Sequence, residues 1–254
     1  MRKYFCDEYT MNEVDTSQYI LHSHNDYEIY MFLEGDSRYI IEDKVYTLKK
    51  NDIIIVRKNE MHRVFHNSSA KYTRIVLMIS PQFFSACPEY EYAFLDSMKS
   101  AGNKIDSRTA HASGLYDAFM RFKKYTDSFT NLYTPVAESM VMEILYLINQ
   151  IVSFTSPETN DSQIMNVISY VNSNYTKKIS LDFLEKEFYI SKYHMCRQFR
   201  KITGHTILSY IRNKRLIYAN ELIEKGYNKS EAALLAGFGD YTSYYRAYKS
   251  YKEI

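Results

Sequence analysis

The chain predicts an α+β protein of two domains, a β-barrel followed by two helices and then an all-α domain of paired helix-turn-helix units. Short β runs recur between turn residues from Tyr27 to about Ser80, the spacing of a β-sandwich or barrel. Helical periodicity takes over from Ser107. Near the C-terminus one small helical pattern occurs twice. Phe188, Arg197, Phe199 and Arg200 mark the first copy; Phe238, Arg246, Tyr248 and Lys249 mark the second, at offsets of 50 and then 49. The expected boundaries are residues 1–154 for the barrel and its helices, 155–162 for a linker and 163–254 for the helical domain.

The β runs come in order. Tyr27–Leu33 is followed by Glu34-Gly35-Asp36, Arg38–Ile41 by Glu42-Asp43-Lys44, and Val45–Leu48 by Lys50-Asn51-Asp52; then come Ile53–Val56, Arg63–Phe65 and Tyr72–Ile79. His22, His24, Asp26 and Glu28 are two apart, so an extended strand would point all four to one face. His62, Val64 and His66 share a face for the same reason. Tyr30 and Phe32 continue the Glu28 face, and Arg38 follows on the next strand. Histidines, an arginine and aromatic faces at one mouth suit a hydroxylated small molecule such as a sugar or sugar acid. The plainer reading of Tyr30 and Phe32 is barrel core.

The spacing His22-x-His24-x3-Glu28-x6-Gly35 resembles the first motif of the cupin family. Asn51 to His62 has the length of the second, with His62 at its histidine. The chain departs at Asn51, Arg57 and Asn59, where the family shows Gly, Pro and Gly. The resemblance implies His22, His24, Glu28 and His62 as ligands of Mn, Fe, Ni or Zn. The same residues can instead form a hydrogen-bonding rim around a polar ligand without metal. That metal-free rim is the expectation, with no cofactor and no catalytic residue.

Ser107–Tyr125 and Pro135–Phe154 read as helices. The second carries a stripe of Met140, Ile144, Leu147, Ile151 and Phe154, the first a shorter one of Leu115, Phe119 and Phe122. Such stripes serve as intradomain core or as a subunit contact. Turn formers and polar residues then break the pattern at the expected linker.

In the last domain Ile164, Val167, Ile168 and Val171 begin a helix. Ser180 caps the next, with Leu181, Leu184 and Phe188 inward, and Ser191 caps a third after the turn Tyr189-Ile190-Ser191. There Met195, Phe199 and Ile202 make the buried stripe. Lys192, Tyr193, Cys196, Arg197 and Arg200 or Lys201 face outward, and Gly204 ends the helix. Ile207–Lys225 is one long helix, with Arg212, Lys214 and Arg215 solvated or facing phosphates. Ser230 caps a short helix, Ala236–Asp240 turn, and Tyr241–Tyr251 form a second outer helix. Tyr244 and Tyr248 face inward there, leaving Tyr241, Thr242, Tyr245, Arg246 and Lys249 outward. A helix with one apolar stripe and a basic, aromatic outer face suits the DNA major groove.

Residues 179–251 resemble the paired helix-turn-helix domain of the AraC/XylS family of transcription regulators. Ser191–Lys201, Thr203-Gly204 and Gly237-Phe238-Gly239-Asp240 fall where its motifs fall. By position the resemblance puts base contacts at Tyr193, Cys196 and Arg197, and at Tyr241, Thr242, Tyr245 and Arg246. The family continues beyond the second outer helix, whereas this sequence stops at Ile254.

Composition fits this division. Among the 254 residues, 46% are apolar and 24% charged, enough for a sizeable core. Residues 160–254 carry 15 Lys+Arg against 9 Asp+Glu, and the rest carry 17 against 21. A basic C-terminal part behind a mildly acidic one fits a nucleic-acid binder joined to something else. Cys6, Cys87 and Cys196 are odd in number and widely spaced, against a disulfide or zinc-finger framework. No 18-residue apolar run exists and Met1–Thr10 is charged, so the expected location is the cytoplasm, away from membranes.

The expected protein is therefore a regulator that reads double-stranded DNA through Lys192, Tyr193, Cys196, Arg197, Lys201, Tyr241, Thr242, Tyr245 and Arg246. A small-molecule effector, sugar-like, would bind at His22, His24, Glu28, Tyr30, Arg38 and His62. A homodimer and an RNA polymerase contact are the expected further partners. The alternative from another class is a metal-dependent cupin enzyme with a helical assembly domain.

Overall fold

The computed structural model describes residues 3–14, 21–85, 102–128, 135–151 and 163–252. The chain divides into two compact units, Met1–Glu158 and Thr159–Ile254. The expected linker 155–162, and with it Phe154, lies outside the described residues.

The first unit holds β1 (Tyr4–Met11), β2 (Tyr27–Glu34), β3 (Ser37–Ile41), β4 (Lys44–Thr47), β5 (Ile53–Val56), β6 (His62–His66), β7 (Tyr72–Ile79) and β8 (Lys104–Ile105). They form a five-stranded sheet of order β1-β7-β2-β5-β8 and a three-stranded sheet of order β4-β3-β6. Every pairing is antiparallel. Among the described residues the two sheets face each other without closing into one hydrogen-bonded barrel.

Helices α1 (Ser107–Ala112), α2 (Leu115–Ser128) and α3 (Pro135–Gln150) cover the outer face of the larger sheet. Strand parity explains why β2 is apolar on both faces. Tyr27, Ile29 and Met31 pack outward with Ile53, Ile55, Ile75 and Leu77 against Phe119, Phe122, Ile144 and Leu145 of the helices. Tyr30 and Phe32 point inward with Tyr39, Tyr46, Ile54, Val56 and Tyr72. Each fully buried large side chain is worth about 1.5–3 kcal/mol, so this double layer holds β2, and the residues it carries, rigidly.

Two expectations are corrected by the structure, and two strands are new. Ser107–Tyr125 is two helices, because Gly114 takes φ +77° and breaks the run. The α3 stripe is rotated: Ala137, Val141, Ile144, Leu145 and Ile148 are buried, while Met140 and Leu147 are half-buried. Strands β1 and β8 were not anticipated. β1 is an edge strand with mostly exposed side chains, and β8 is only 2 residues long.

The second unit holds α4 (Gln163–Asn174), α5 (Leu181–Phe188), α6 (Lys192–Thr203), α7 (Ile207–Glu224), α8 (Lys229–Leu235) and α9 (Tyr241–Lys252). Ser180 and Ser191 cap α5 and α6 through their side chains, accepting from the Phe183 and His194 backbone N–H groups. Gly204 ends α6 at φ +75°. The cap of α8 is Asn228, accepting from the Glu231 N–H, not Ser230.

Helix α7 serves both halves. Its Tyr210 ring packs edge-on against Phe199 at 5.3 Å, and the Tyr210 hydroxyl donates to Asn172 Oδ1 at 2.8 Å. Further along, Leu216 and Ala219 join Ala233, Ala236, Phe238, Tyr244 and Ala247 in the second core. Arg215 is half-buried and has a structural part as well: it donates to the Tyr175 and Lys177 carbonyls at 2.6 and 2.8 Å, tying α7 to the turn after α4.

Candidate ligand cavity and nucleic-acid interface

The cavity lies between the two sheets and has a volume of about 280 Å³. The chain enters it as a short antiparallel bridge rather than a strand. His22 and His62 each donate a backbone N–H to the other's carbonyl, at 3.0 and 2.8 Å. The pairing brings their rings to 4.4 Å, and the His24 ring lies 4.8 Å from His62. One ring nitrogen from each of His22, His24 and His62 lies within 4.8 Å of the other two.

Glu28 stands among them. Its Oε1 accepts from the Tyr39 hydroxyl at 2.8 Å, and its Oε2 lies 3.3 Å from His24 Nε2 and 3.6 Å from His62 Nε2. The other nitrogens face backbone: His24 Nδ1 meets the Asp26 carbonyl at 2.9 Å, and His62 Nδ1 meets that of Glu60 at 2.8 Å. A carbonyl only accepts, so each Nδ1 carries a proton and each Nε2 is turned to the cavity. Burial pushes the Glu28 carboxyl up, but the His24 and His62 rings outweigh it and hold it well below the usual carboxylate range. Burial likewise lowers the His24 pKa, yet the hydrogen bond and charge of Glu28 leave it raised.

Of the expected ligand residues, His22, His24, Glu28, Tyr30 and His62 all line this cavity. Arg38 does not. It points to the other face of β3, donates to Asn67 Oδ1 at 3.0 Å and stacks over Phe65 at 5.0 Å. Its neighbour Tyr39 takes the inward position, so the parity carried across the turn was off by one. Asp26 also leaves the shared face, because regular β2 begins only at Tyr27.

Sequence reasoning missed Tyr39, Tyr72, Arg74 and, from β1, Phe5 and Asp7. Arg74 was findable, being a charge inside the otherwise apolar run of β7. Tyr72 donates to or accepts from the Tyr30 hydroxyl at 2.9 Å. His66 shares the inward side but is spent on structure, with Nδ1 2.8 Å from Ser37 Oγ.

The chemistry of the donor set fits a divalent metal as well as a polar ligand. Three imidazoles and a carboxylate converge, and the Nδ1 groups of His24 and His62 are held by carbonyls in the way that orients histidine ligands.

In the second unit one shallow groove is lined by Lys192, Tyr193, Cys196, Arg197, Arg200, Lys201 and Thr206. The expected residues of α6 thus come together on one face, opposite the buried Met195 and Phe199. Tyr193 is 78% exposed, and Arg197 sits over its ring at 5.9 Å. Lys192 is partly engaged: its ammonium pairs with Asp182 and lies 3.7 Å from Glu185 Oε2, while its backbone N–H donates to Glu185 Oε1 at 3.0 Å. On α9, Tyr241, Thr242, Tyr245 and Arg246 are exposed, as expected, opposite the buried Tyr244 and Ala247. Arg197 and Arg246 supply planar donors that can take a guanine edge, and the lysines supply point charges for phosphates.

Comparison with known proteins identifies both parts. Residues 10–79 match the cupin domain and residues 184–254 match a helix-turn-helix domain. The chain is 22% identical over 255 residues to YdeC of Bacillus subtilis, an uncharacterised HTH-type transcriptional regulator, covering 94% of this chain and 85% of that one. It is 24% identical over 230 residues to YbfI of the same organism, another such regulator, covering 85% and 78%. Among solved structures, ToxT from Vibrio cholerae aligns over 98% of this chain and 94% of its own, at 18% identity and a TM-score of 0.40. The chain is a transcriptional regulator in which a cupin domain precedes a helix-turn-helix DNA-binding domain. Its paired helix-turn-helix units are of the AraC type. No helix among the described residues is long and apolar enough to cross a membrane.

Proposed function

We propose that the cavity between the sheets binds a small, polyhydroxylated effector of sugar or sugar-acid type, and that its occupancy changes promoter binding by the helical unit. The lining carries this reading. Three histidines, Glu28, Arg74 and the hydroxyls of Tyr30, Tyr39 and Tyr72 converge on about 280 Å³. That volume is near the lower end, ~300 Å³, of small-molecule sites, and suits a ligand of monosaccharide size. Phe5, Val64 and Val76 offer apolar faces beside the polar groups, as the two sides of a sugar ring require.

In this reading the protein works in the cytoplasm as a homodimer, with the nine named residues of α6 and α9 on DNA and RNA polymerase as a further partner. Effector coupling requires unequal affinity for two states of the protein. No catalytic step is assigned, and Glu28 already accepts on both its oxygens.

A second reading rests on the convergence of ring nitrogens. His22, His24, His62 and Glu28 would hold a divalent ion, with His24 giving up its hydrogen bond to Glu28. Bound there, the ion would supply Lewis-acid chemistry, and a metal-dependent enzyme becomes the alternative.

A thermal-shift series separates the readings. Monosaccharides, disaccharides and sugar acids are added with and without a chelator, then with Mn, Ni or Zn. Stabilisation by one sugar that survives chelation, and that Glu28→Ala abolishes, is the expected result. Stabilisation by metal alone, reversed by chelator, would move the assignment to the metal centre. Indifference to everything would leave the cavity without an effector role.

A further inference from the structure

The two outer helices of the second unit differ in chemistry. The outward face of α6 is mainly cationic, with Arg197, Arg200 and Lys201 in one groove beside a single exposed aromatic, Tyr193, whose ring lies under Arg197. The face of α9 opens instead with Tyr241, Thr242 and Tyr245, and the two tyrosines are 40% and 53% exposed. Arg246 and Lys249 follow along that helix.

These rings are held in place. The Tyr241 ring lies 5.8 Å from that of Tyr244 and 6.2 Å from that of Tyr245. Tyr244 is buried, and its hydroxyl donates to Asn220 Oδ1 on α7 at 3.3 Å. The outer aromatics therefore rest on an anchored ring, and tyrosine has few torsions to lose on binding. Solvent-facing ring surface remains on a helix whose opposite side fills the second core.

In the major groove the apolar landmark is the thymine C5-methyl, whereas guanine presents two acceptors and cytosine a donor amine. Arginine matches guanine; an aromatic or methyl surface matches thymine. Resting on the DNA-reading assignment above, we infer that α9 reads thymine methyl groups through Tyr241 and Tyr245, while α6 reads guanine through Arg197. Each half-site then has two chemically unlike segments, one containing guanine and one rich in thymine, and each helical unit binds its half-site in one orientation.

The full chain is used to select duplexes from a random-sequence library at ~0.15 M salt. Affinity is then measured for the selected duplex and for versions with deoxyuridine in place of each thymine, which removes only the methyl. Loss of one well-packed methyl corresponds to about fourfold weaker binding. The expected result is that at least one thymine outside the guanine segment shows this loss with the unaltered protein. Tyr245→Ala or Tyr241→Ala then makes binding insensitive to that deoxyuridine, Tyr245→Phe keeps the sensitivity, and Arg197→Ala keeps it while relaxing the guanine preference. Deoxyuridine without effect anywhere in an enriched sequence would overturn this inference alone. So would a methyl effect that persists in both alanine variants. A library with no enrichment would sink the DNA-reading assignment itself, and this inference with it.

Discussion

Asn51 and Asn59 stand where the cupin motif has glycine, and both take φ +66°. Asparagine is among the few side chains that tolerate this left-handed backbone, so the departures conserve the turn geometry. Tyr189 makes the opposite choice, holding φ +51° at the end of α5 while 90% exposed. Left-handed backbone costs an ordinary side chain roughly 1 kcal/mol. Tyr189→Gly should therefore stabilise the helical unit by about that amount in urea denaturation. Gly237→Ala should destabilise it by about 2 kcal/mol or more. Its φ is +91°, and a Cβ there would overlap the Thr176 backbone. No loss of stability in that variant would contradict the turn geometry.

The protonation of a buried histidine also bears on stability. Burial, with the Arg63 charge, brings His66 down to about 4. An unfolded histidine titrates near 6.5, so between these values the unfolded chain binds more protons. Stability should be unaffected by His66 above about pH 6.5 and should fall as pH drops toward 4. A His66→Gln variant should show a shallower fall over that window, read from melting temperature against pH. Cys6 needs no such account: burial pushes its thiol up to about 12, and it stays protonated and inert.

Among elements, the loop between β5 and β6 shows how the cavity is braced. Arg57 is 1% exposed; its guanidinium donates to the Gly102 carbonyl at 2.9 Å and lies 3.5 Å from Glu60 Oε1. Glu60 also accepts from Asn103 Nδ2 at 2.9 Å, and its carbonyl accepts from His62. The loop that presents His62 is thereby fastened to the residues leading into β8 and α1. Arg57→Ala should destabilise the first unit by about 3 kcal/mol, the scale for stranding one partner of a buried ion pair. It should also shift the His62 ring resonances in NMR. Unperturbed resonances and stability would remove the bracing role.

Strands β2 through β7 were legible because alternation and turn residues agree there. β1 was not, since an edge strand with exposed charged side chains has no apolar signature. The division of α1 from α2 depended on one glycine, and the α3 stripe on which side the sheet lies. Periodicity alone reports neither. The cavity was half legible: His22, His24, Glu28 and His62 announced themselves by spacing. Arg38 was misplaced because a one-residue register error reverses the face.

For the whole molecule, the uneven charge distribution bears on DNA affinity. Residues 160–254 hold 15 Lys+Arg against 9 Asp+Glu, so duplex binding should weaken as salt rises. Replacing a phosphate-contacting lysine flattens the dependence of log affinity on log salt by about 1. Lys201→Ala should do so. Lys192→Ala should flatten it less, because that ammonium already faces Asp182 and Glu185. Equal slopes for both variants would show that the acidic partners release Lys192 on binding.

The sequence by itself determined the two-part plan, the order of most elements, both outer helices and the histidine–glutamate cluster. Each of these follows from short-range rules: period-2 and period-3.6 patterning, caps, turn residues and motif spacing. Tertiary structure alone decided that β1 and β7 complete the cavity wall with Phe5, Asp7, Tyr72 and Arg74. It also decided that Tyr39 rather than Arg38 faces Glu28, that Arg215 serves the fold, and that Lys192 is shared with two carboxylates. Those outcomes depend on which distant strand or helix lies opposite, and on a register that one residue can reverse, so no local pattern contains them.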